Sequence, residues 1–230
     1  MIKPLRHLIL CLTALPACAT DAPLPTEPAT VAAVPMADSG RILGVIPDYK
    51  TVEGTESSAA PLTTHDKFKL AFSDTTDPFT VVLAGFNAGI AHWQNDFPAF
   101  GQGAQGYAKR LGAGFADQAI GNYMTEAIFP TMFHEDPRYF RKGSGTKRER
   151  VRYALSRVLI TRDDYGRDVF NRSEIFGNAV AAGISNLYYP AASRTLATTG
   201  EKFGVQIMSD AAFNVLLEFW PDMKHKFFHK

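Results

Sequence analysis

The sequence predicts an all-α protein, a compact bundle of about five to seven helices behind an N-terminal leader and tether. Three observations carry this. Apolar residues recur at helical spacing over long segments, capping residues stand at the heads of those segments, and the period-two alternation of half-buried strands is almost absent. A chain of 230 residues, 46% hydrophobic and with 17 Phe, is long enough to bury one substantial core.

Residues 1–17 read as a signal peptide, because Lys3 and Arg6 precede the short apolar run from Leu8 to Leu15. Residues 18–62 read as a lipidated Cys18, a Pro/Ala/Thr-rich tether with Pro23, Pro25, Pro28 and Pro35, and an extended arm around Arg41 to Tyr49. As a flexible coil that tether spans roughly 25 Å, and as polyproline about 60 Å. The helical domain occupies residues 63–222, and residues 223–230 form a basic tail.

Within the domain, Thr63 and Asp66 supply a cap and its acid three residues on. Asp77-Pro78 is a second start, a capping side chain followed by proline at the first helical position. The helix it opens runs from Phe79 to Trp93 without a charge and carries Gly85-x-x-x-Gly89 with Ala84, Ala88 and Ala91, small residues that allow close helix contact. Gly101 to Phe133 reads as one or two helices disturbed at Pro130, and Lys142 to Gly145 as a loop. Val151, Ala154, Leu155, Val158 and Leu159 make an amphipathic stripe opposite Arg148, Glu149, Arg150, Arg152 and Arg157. After a polar turn around Arg162 to Arg167, Ser173-Glu174 opens an uncharged helix from Ile175 to about Tyr189. Thr198 and Glu201 then cap a last helix, Gly200 to about Trp220, closed by Pro221. The uncharged stretches 78–95 and 175–193 approach the length of a bilayer span, but Asn87, His92, Gln94, Asn178, Ser185 and Asn186 dilute them. Buried core helices are expected there, with partial insertion of an apolar face beside the anchor as the alternative.

Charge is segregated. From Arg138 to Arg172 there are nine Arg and two Lys against four acids, a surplus of +7, while the rest of the processed chain carries −8. The near-zero total argues against nucleic acid as a partner. The Arg-rich stretch suits an anionic lipid or acidic glycan, or else pairs internally with acids elsewhere.

The densest polar run is His134-Glu135-Asp136-Pro137-Arg138-Tyr139-Phe140-Arg141. As a site it offers His134 as a base, Glu135 or Asp136 to orient it, and Arg138 and Arg141 for an anion, joined by Arg157 and Arg162. As structure it offers a turn at Asp136-Pro137, His134 closing a helix, and internal ion pairs. Ser156-Arg157 with Arg162-Asp163-Asp164-Tyr165, and Asn178, Asn186, Tyr188 and Tyr189, are further polar groups with plain readings as salt bridges and local backbone partners. No metal site is expected, since no second His reinforces His134, and no cofactor, since Gly-x-Ser-x-Gly, phosphate-loop, His-Glu-x-x-His and dinucleotide patterns are missing.

Leu15-Pro16-Ala17-Cys18 resembles the bacterial lipobox, which implies acylation of Cys18, and Ala19 after it implies sorting to the inner leaflet of the outer membrane. Ordinary cleavage after Ala17-Cys18-Ala19 is the alternative. Asp77-Pro78-Phe79, Leu83 to Gly89, His134 to Arg141 and Asn178 to Pro190 together resemble an uncharacterised family of bacterial envelope proteins, over about residues 41 to 222. A fainter likeness is to the helical phosphatidic-acid phosphatase superfamily. There Ser156-Arg157 would match a Ser-Arg motif, but Asp163 stands where the nucleophilic His belongs and the Ser-Gly-His motif is missing. The expectation is an outer-membrane-anchored periplasmic lipoprotein with a non-catalytic binding or organising role in the envelope. The alternative is a phosphatase-like hydrolase of envelope lipid or glycan using the His134 to Arg141 cluster.

Overall fold

The structure, a computed structural model, describes residues 41–42, 46–54 and 59–228. The signal peptide, Cys18 and the tether expected ahead of them lie outside the described residues. The helices begin where local chemistry dictates. Thr63 accepts from the Asp66 N–H and Asp66 accepts from the Thr63 N–H, so α1 (Thr64–Thr76) opens on a capping box. Asp77 caps α2 (Pro78–Trp93) by accepting from the Phe79 N–H. Next comes α3 (Gly103–Asn122), which runs through a π-helical turn (Tyr123–Ile128) into α4 (Phe129–Phe133). Pro130 explains that turn. It has no N–H for the Glu126 carbonyl, and the Phe129 N–H reaches back five residues to the Met124 carbonyl instead. The chain continues through α5 (Lys147–Ser156), α6 (Arg172–Ser185) and α7 (Leu196–Phe228).

Short strands tie the helices together: β1 (Arg41–Ile42), β2 (Ile46–Pro47), β3 (Thr51–Glu53), β4 (Glu135–Asp136), β5 (Tyr139–Arg141), β6 (Ile160–Asp163) and β7 (Asp168–Phe170). The arm β3 pairs in parallel with β5, with Thr51 opposite Tyr139 and Glu53 opposite Arg141, and β4, β6 and β7 form an antiparallel sheet. The protein is thus a mostly-α bundle, as expected, with the arm and the His134 to Arg141 run drawn into strand pairs that no alternation announces. The expected polar turn at Arg162 to Arg167 is a hairpin tip whose Gly166 takes a positive φ of 81°.

Several boundaries differ from expectation, among them the end of α6 at Ser185 and not near Tyr189. α5 stops at Ser156, so Val158 and Leu159 lie beyond it. Asn171 caps α6 by accepting from the Glu174 N–H. α7 starts earlier, with Thr195 accepting from the Thr198 N–H, and passes straight through Pro221, so most of the expected tail is helical. Pro221 is tolerated because other donors fill the gap. The Leu217 carbonyl, which loses its helical N–H partner, accepts from Arg141 Nε at 2.7 Å.

The apolar core lies between α5, α7 and the arm, where Ile42, Tyr139, Ala154, Leu217 and Trp220 are buried together. Glu218 is 0% exposed beside them and accepts from Tyr139 Oη, the Lys142 and Gly143 N–H groups and Arg150 Nε. The other half packs α2 on α3 and α6 against the π-turn. α2 is not a buried core helix. Only its Thr80, Ala84 and Ala88 side is buried, while Val82, Phe86 and Trp93 face outward. The close contact with α3 is made at Gly85, whose carbonyl accepts from Tyr107 Oη, and not at Gly89.

Gly177 is where α6 crosses the π-turn. A Cβ there would lie 2.8 Å from Thr125 Cγ2 and 3.2 Å from the Met124 carbonyl carbon. Gly177→Ala is therefore expected to destabilise the fold by about 1–3 kcal/mol, read as a lower denaturant midpoint with an unchanged slope.

Candidate functional site

A cavity of about 350 Å³ runs through the bundle, with Lys50, Asp74, Gln118, Asn122, Glu126, Glu174, Gln206 and Asp210 among its wall residues. Each comes from a different turn of the fold. The Lys50 carbonyl accepts from the Tyr139 N–H, which fixes the arm, and its side chain enters between α1 and the π-turn. There Nζ donates to Asp74 Oδ2 at 3.0 Å and to Glu126 Oε1 at 2.9 Å. Tyr49 Oη donates to Asp74 Oδ1 at 3.1 Å.

The two acids beside Lys50 respond in opposite directions. Burial works against ionisation of both, yet the Lys50 charge and the bonds from Lys50 and Tyr49 hold Asp74 below the usual carboxylate range. Glu126 is pushed up to about 8 by burial, with Asp74 beside it adding to the rise and Lys50 opposing it. Its Oε2 is buried with no hydrogen-bond partner among the described residues, and with a value near 8 Glu126 is mostly protonated at neutral pH. Burial lowers the Lys50 ammonium, but Asp74 and Glu126 together outweigh it and hold Lys50 well above its ordinary value.

A second carboxyl pair lies on the same wall. Glu174 is raised well above its ordinary value by burial and then by the neighbouring Asp210. Asn178 Nδ2 donates to Glu174 Oε1 at 2.8 Å and lies 3.4 Å from Asp210 Oδ2, and Gln206 Nε2 donates to Asp210 Oδ1 at 3.2 Å. Asp117, also on the cavity wall, accepts from Tyr188 Oη at 2.5 Å and Tyr189 Oη at 2.6 Å. Beside it Lys202 lies 2.8 Å from the Tyr189 ring centroid, and burial brings it down to about 8.

The His134 to Arg141 run is dispersed by the fold. His134 closes α4 with a positive φ of 56°, keeps 74% of its side chain exposed, and stands 3.8 Å from Asp164. Glu135 is buried and accepts from Arg172 Nε, the Ser173 N–H and Ser173 Oγ. Asp136 accepts from the Arg138 N–H, Nε and Nη2, and Arg141 is buried against Leu217, Glu53 and Asp48. Arg157 pairs with Asp168, and Arg162 lies over the Phe140 ring at 4.4 Å. Glu135, Asp136, Arg138 and Arg157 line the far end of the cavity, whereas His134, Arg141 and Arg162 do not. Asp163 accepts from the Tyr165 and Arg167 N–H groups of its own turn, and Asp164 from Lys67 Nζ.

Sequence reasoning passed over the Lys50 cluster, although one signal marks it. Glu126 is the only charged residue between Asp117 and Glu135, and Asp210 the only one between Lys202 and Glu218. An isolated acid inside an apolar helix must find a partner in the interior. Among the described residues no group of acids, histidines and cysteines has the geometry of a metal site, and no helix is long and apolar enough to cross a membrane. No protein-family model matches the chain, and neither a characterised protein nor a solved structure shows significant similarity to it.

Glu126 has a folded value near 8 against about 4.5 unfolded, so its contribution to stability is complete below the lower value and is lost as pH rises through the upper one. Glu126→Gln keeps the donor towards Asp74 and removes the titration. Its melting temperature relative to the wild type is expected to rise by several degrees between pH 5 and 9, followed by circular dichroism.

Proposed function

We propose that this chain is an envelope lipoprotein, anchored through Cys18 at the periplasmic face of the outer membrane, whose helical domain binds a small amine-bearing molecule in its interior cavity. The observation that carries the binding reading is the imbalance at the cavity wall. Lys50 pairs with two of the four carboxyl groups there, Asp74 and Glu126, while Glu174 and Asp210 meet only amide donors, and burial raises Glu126 and Glu174 towards the protonated form. A cationic group entering the cavity substitutes for those protons and gains hydrogen bonds from oxygens already aimed inward. The surrounding amides Gln118, Asn122 and Gln206 provide neutral contacts for the rest of the ligand.

Binding of a cation lowers the Glu126 value, so the complex releases a proton. Affinity should therefore tighten as pH rises from 6 towards 8, by at most about tenfold per pH unit, and level off above it. Titration calorimetry with a panel of diamines and amino sugars in buffers of different ionisation enthalpy measures both affinity and proton release. Loss of the pH slope in Glu126→Gln with binding retained supports the linkage, while no binding by any amine at either pH refutes the reading. Anchoring is tested separately by fatty-acid labelling, which Cys18→Ser abolishes.

The opposed shifts of Asp74 and Glu126 favour one second reading, an envelope glycan hydrolase in which Glu126 is the acid and Asp74 the carboxylate. Release of reducing ends from envelope glycan by the purified chain, abolished in Glu126→Gln, would select it.

A further inference from the structure

We propose that the face formed by α2 and α7 docks on a lipid bilayer, with the mouth of the cavity opening onto it. The wall residues that remain exposed include Leu83 and Asn87 on α2 and Val205 and Ser209 on α7, so the cavity reaches the surface between these two helices. Deeper in, Phe79 of α2 and Phe213 of α7 meet with ring centroids 6.3 Å apart.

Each helix presents an uncharged stripe next to its cavity side. On α2, Val82, Phe86 and Trp93 lie at helical spacing on one face and are 68%, 66% and 85% exposed. No Asp, Glu, Lys or Arg occurs anywhere in this helix. On α7, Val205, Met208 and Ala212 are exposed in the same way, and the one charge between Lys202 and Glu218, Asp210, is turned to the cavity. Large apolar groups left in water on two helices that flank one opening mark a contact surface.

The chain preceding the domain identifies what covers it. Arg41, the first described residue, donates through Nη1 and Nη2 to the Asp77 carboxylate, the cap of α2, so the tether joins the domain at the head of the uncharged helix. Twenty-two residues separate Cys18 from Arg41. They cannot hold the head of α2 further than about 80 Å from an acyl group in the bilayer. The apolar stripe therefore sits at high local concentration against the membrane, and burying it at the headgroup boundary needs no spanning helix. This inference rests on the anchoring proposed above and not on the identity of the cavity ligand.

The two tryptophans make the test direct, because Trp93 is exposed and Trp220 is buried in the core. The full acylated chain is reconstituted into vesicles of phosphatidylethanolamine and phosphatidylglycerol whose acyl chains are brominated near the ester. Docking predicts that the larger part of the Trp93 emission is lost and that Trp93 is shielded from iodide. Trp93→Phe should remove the quenchable component, and Val82→Asp with Phe86→Asp should abolish quenching while the chain stays anchored. Trp93 unquenched and open to iodide overturns the proposal. Trp93 shielded from iodide yet unquenched also overturns it and assigns the face to a second copy of the chain. Should mass spectrometry find Cys18 without acyl groups, the anchoring reading falls. The same vesicles added to that unacylated chain then decide docking by the same quenching.

Discussion

A single ammonium group, that of Lys50, stands against carboxyl groups brought into the interior by α1, the π-turn, α6 and α7. Removing even one ionised carboxylate from water costs several kcal/mol after relaxation, so four of them on packed helices are incompatible with a stable bundle unless charge is cancelled or protons are retained. Lys50 cancels one, Asp74, through a bond of 3.0 Å. Retained protons silence Glu126 and Glu174, whose values are raised, and Asp210 accepts from the Asn178 and Gln206 amides. The arm is thus more than a wrapping strand. Its parallel register with β5 sets the ammonium at the level of both Asp74 and Glu126, and a slip of one residue would turn it to the opposite face.

The other end of the molecule solves the same problem in the opposite manner. Around Glu218 every oxygen is answered: Tyr139 Oη and the Lys142 N–H meet Oε2, the Gly143 N–H and Arg150 Nε meet Oε1, and Arg141 caps the carbonyl that Pro221 leaves without a helical donor. Charges are buried there with full partners, which specifies geometry and leaves nothing for a ligand to satisfy. The acids that the Arg-rich segment requires come from its own neighbours, from the arm and from α7, so Arg138, Arg141 and Arg150 are structural side chains in this fold, each holding a named partner.

Local chemistry was legible in the sequence, and long-range pairing was not. The Thr63–Asp66 box, the Asp77-Pro78 start and the disturbance at Pro130 depend on residues within a few positions of one another, and the structure keeps all three. Lys50 and Glu126 are 76 residues apart, and Arg141 and Leu217 also 76, so nothing near either residue announces its partner. Pro221 read as a helix end because its cost was weighed without the arginine that offsets it. The His134 to Arg141 run drew attention by density. Adjacent residues on short strands point alternately to opposite sides, and the fold sends His134 outward while Glu135 and Arg141 go in.

The two halves differ in how they can open. Around α5, the arm and the C-terminal part of α7, separation would expose Glu218 and two arginines at once, each losing charge-assisted bonds. α2, by contrast, is held to the bundle by alanine and glycine contacts on α3, one tyrosine hydroxyl and the Arg41–Asp77 pair, and meets α7 through a tilted pair of phenylalanine rings. The α2 side is also where the cavity reaches the surface and where the apolar groups are unburied. The helix that carries Val82, Phe86 and Trp93 on its outer face is therefore the same helix that lines the cavity mouth through Leu83 and Asn87.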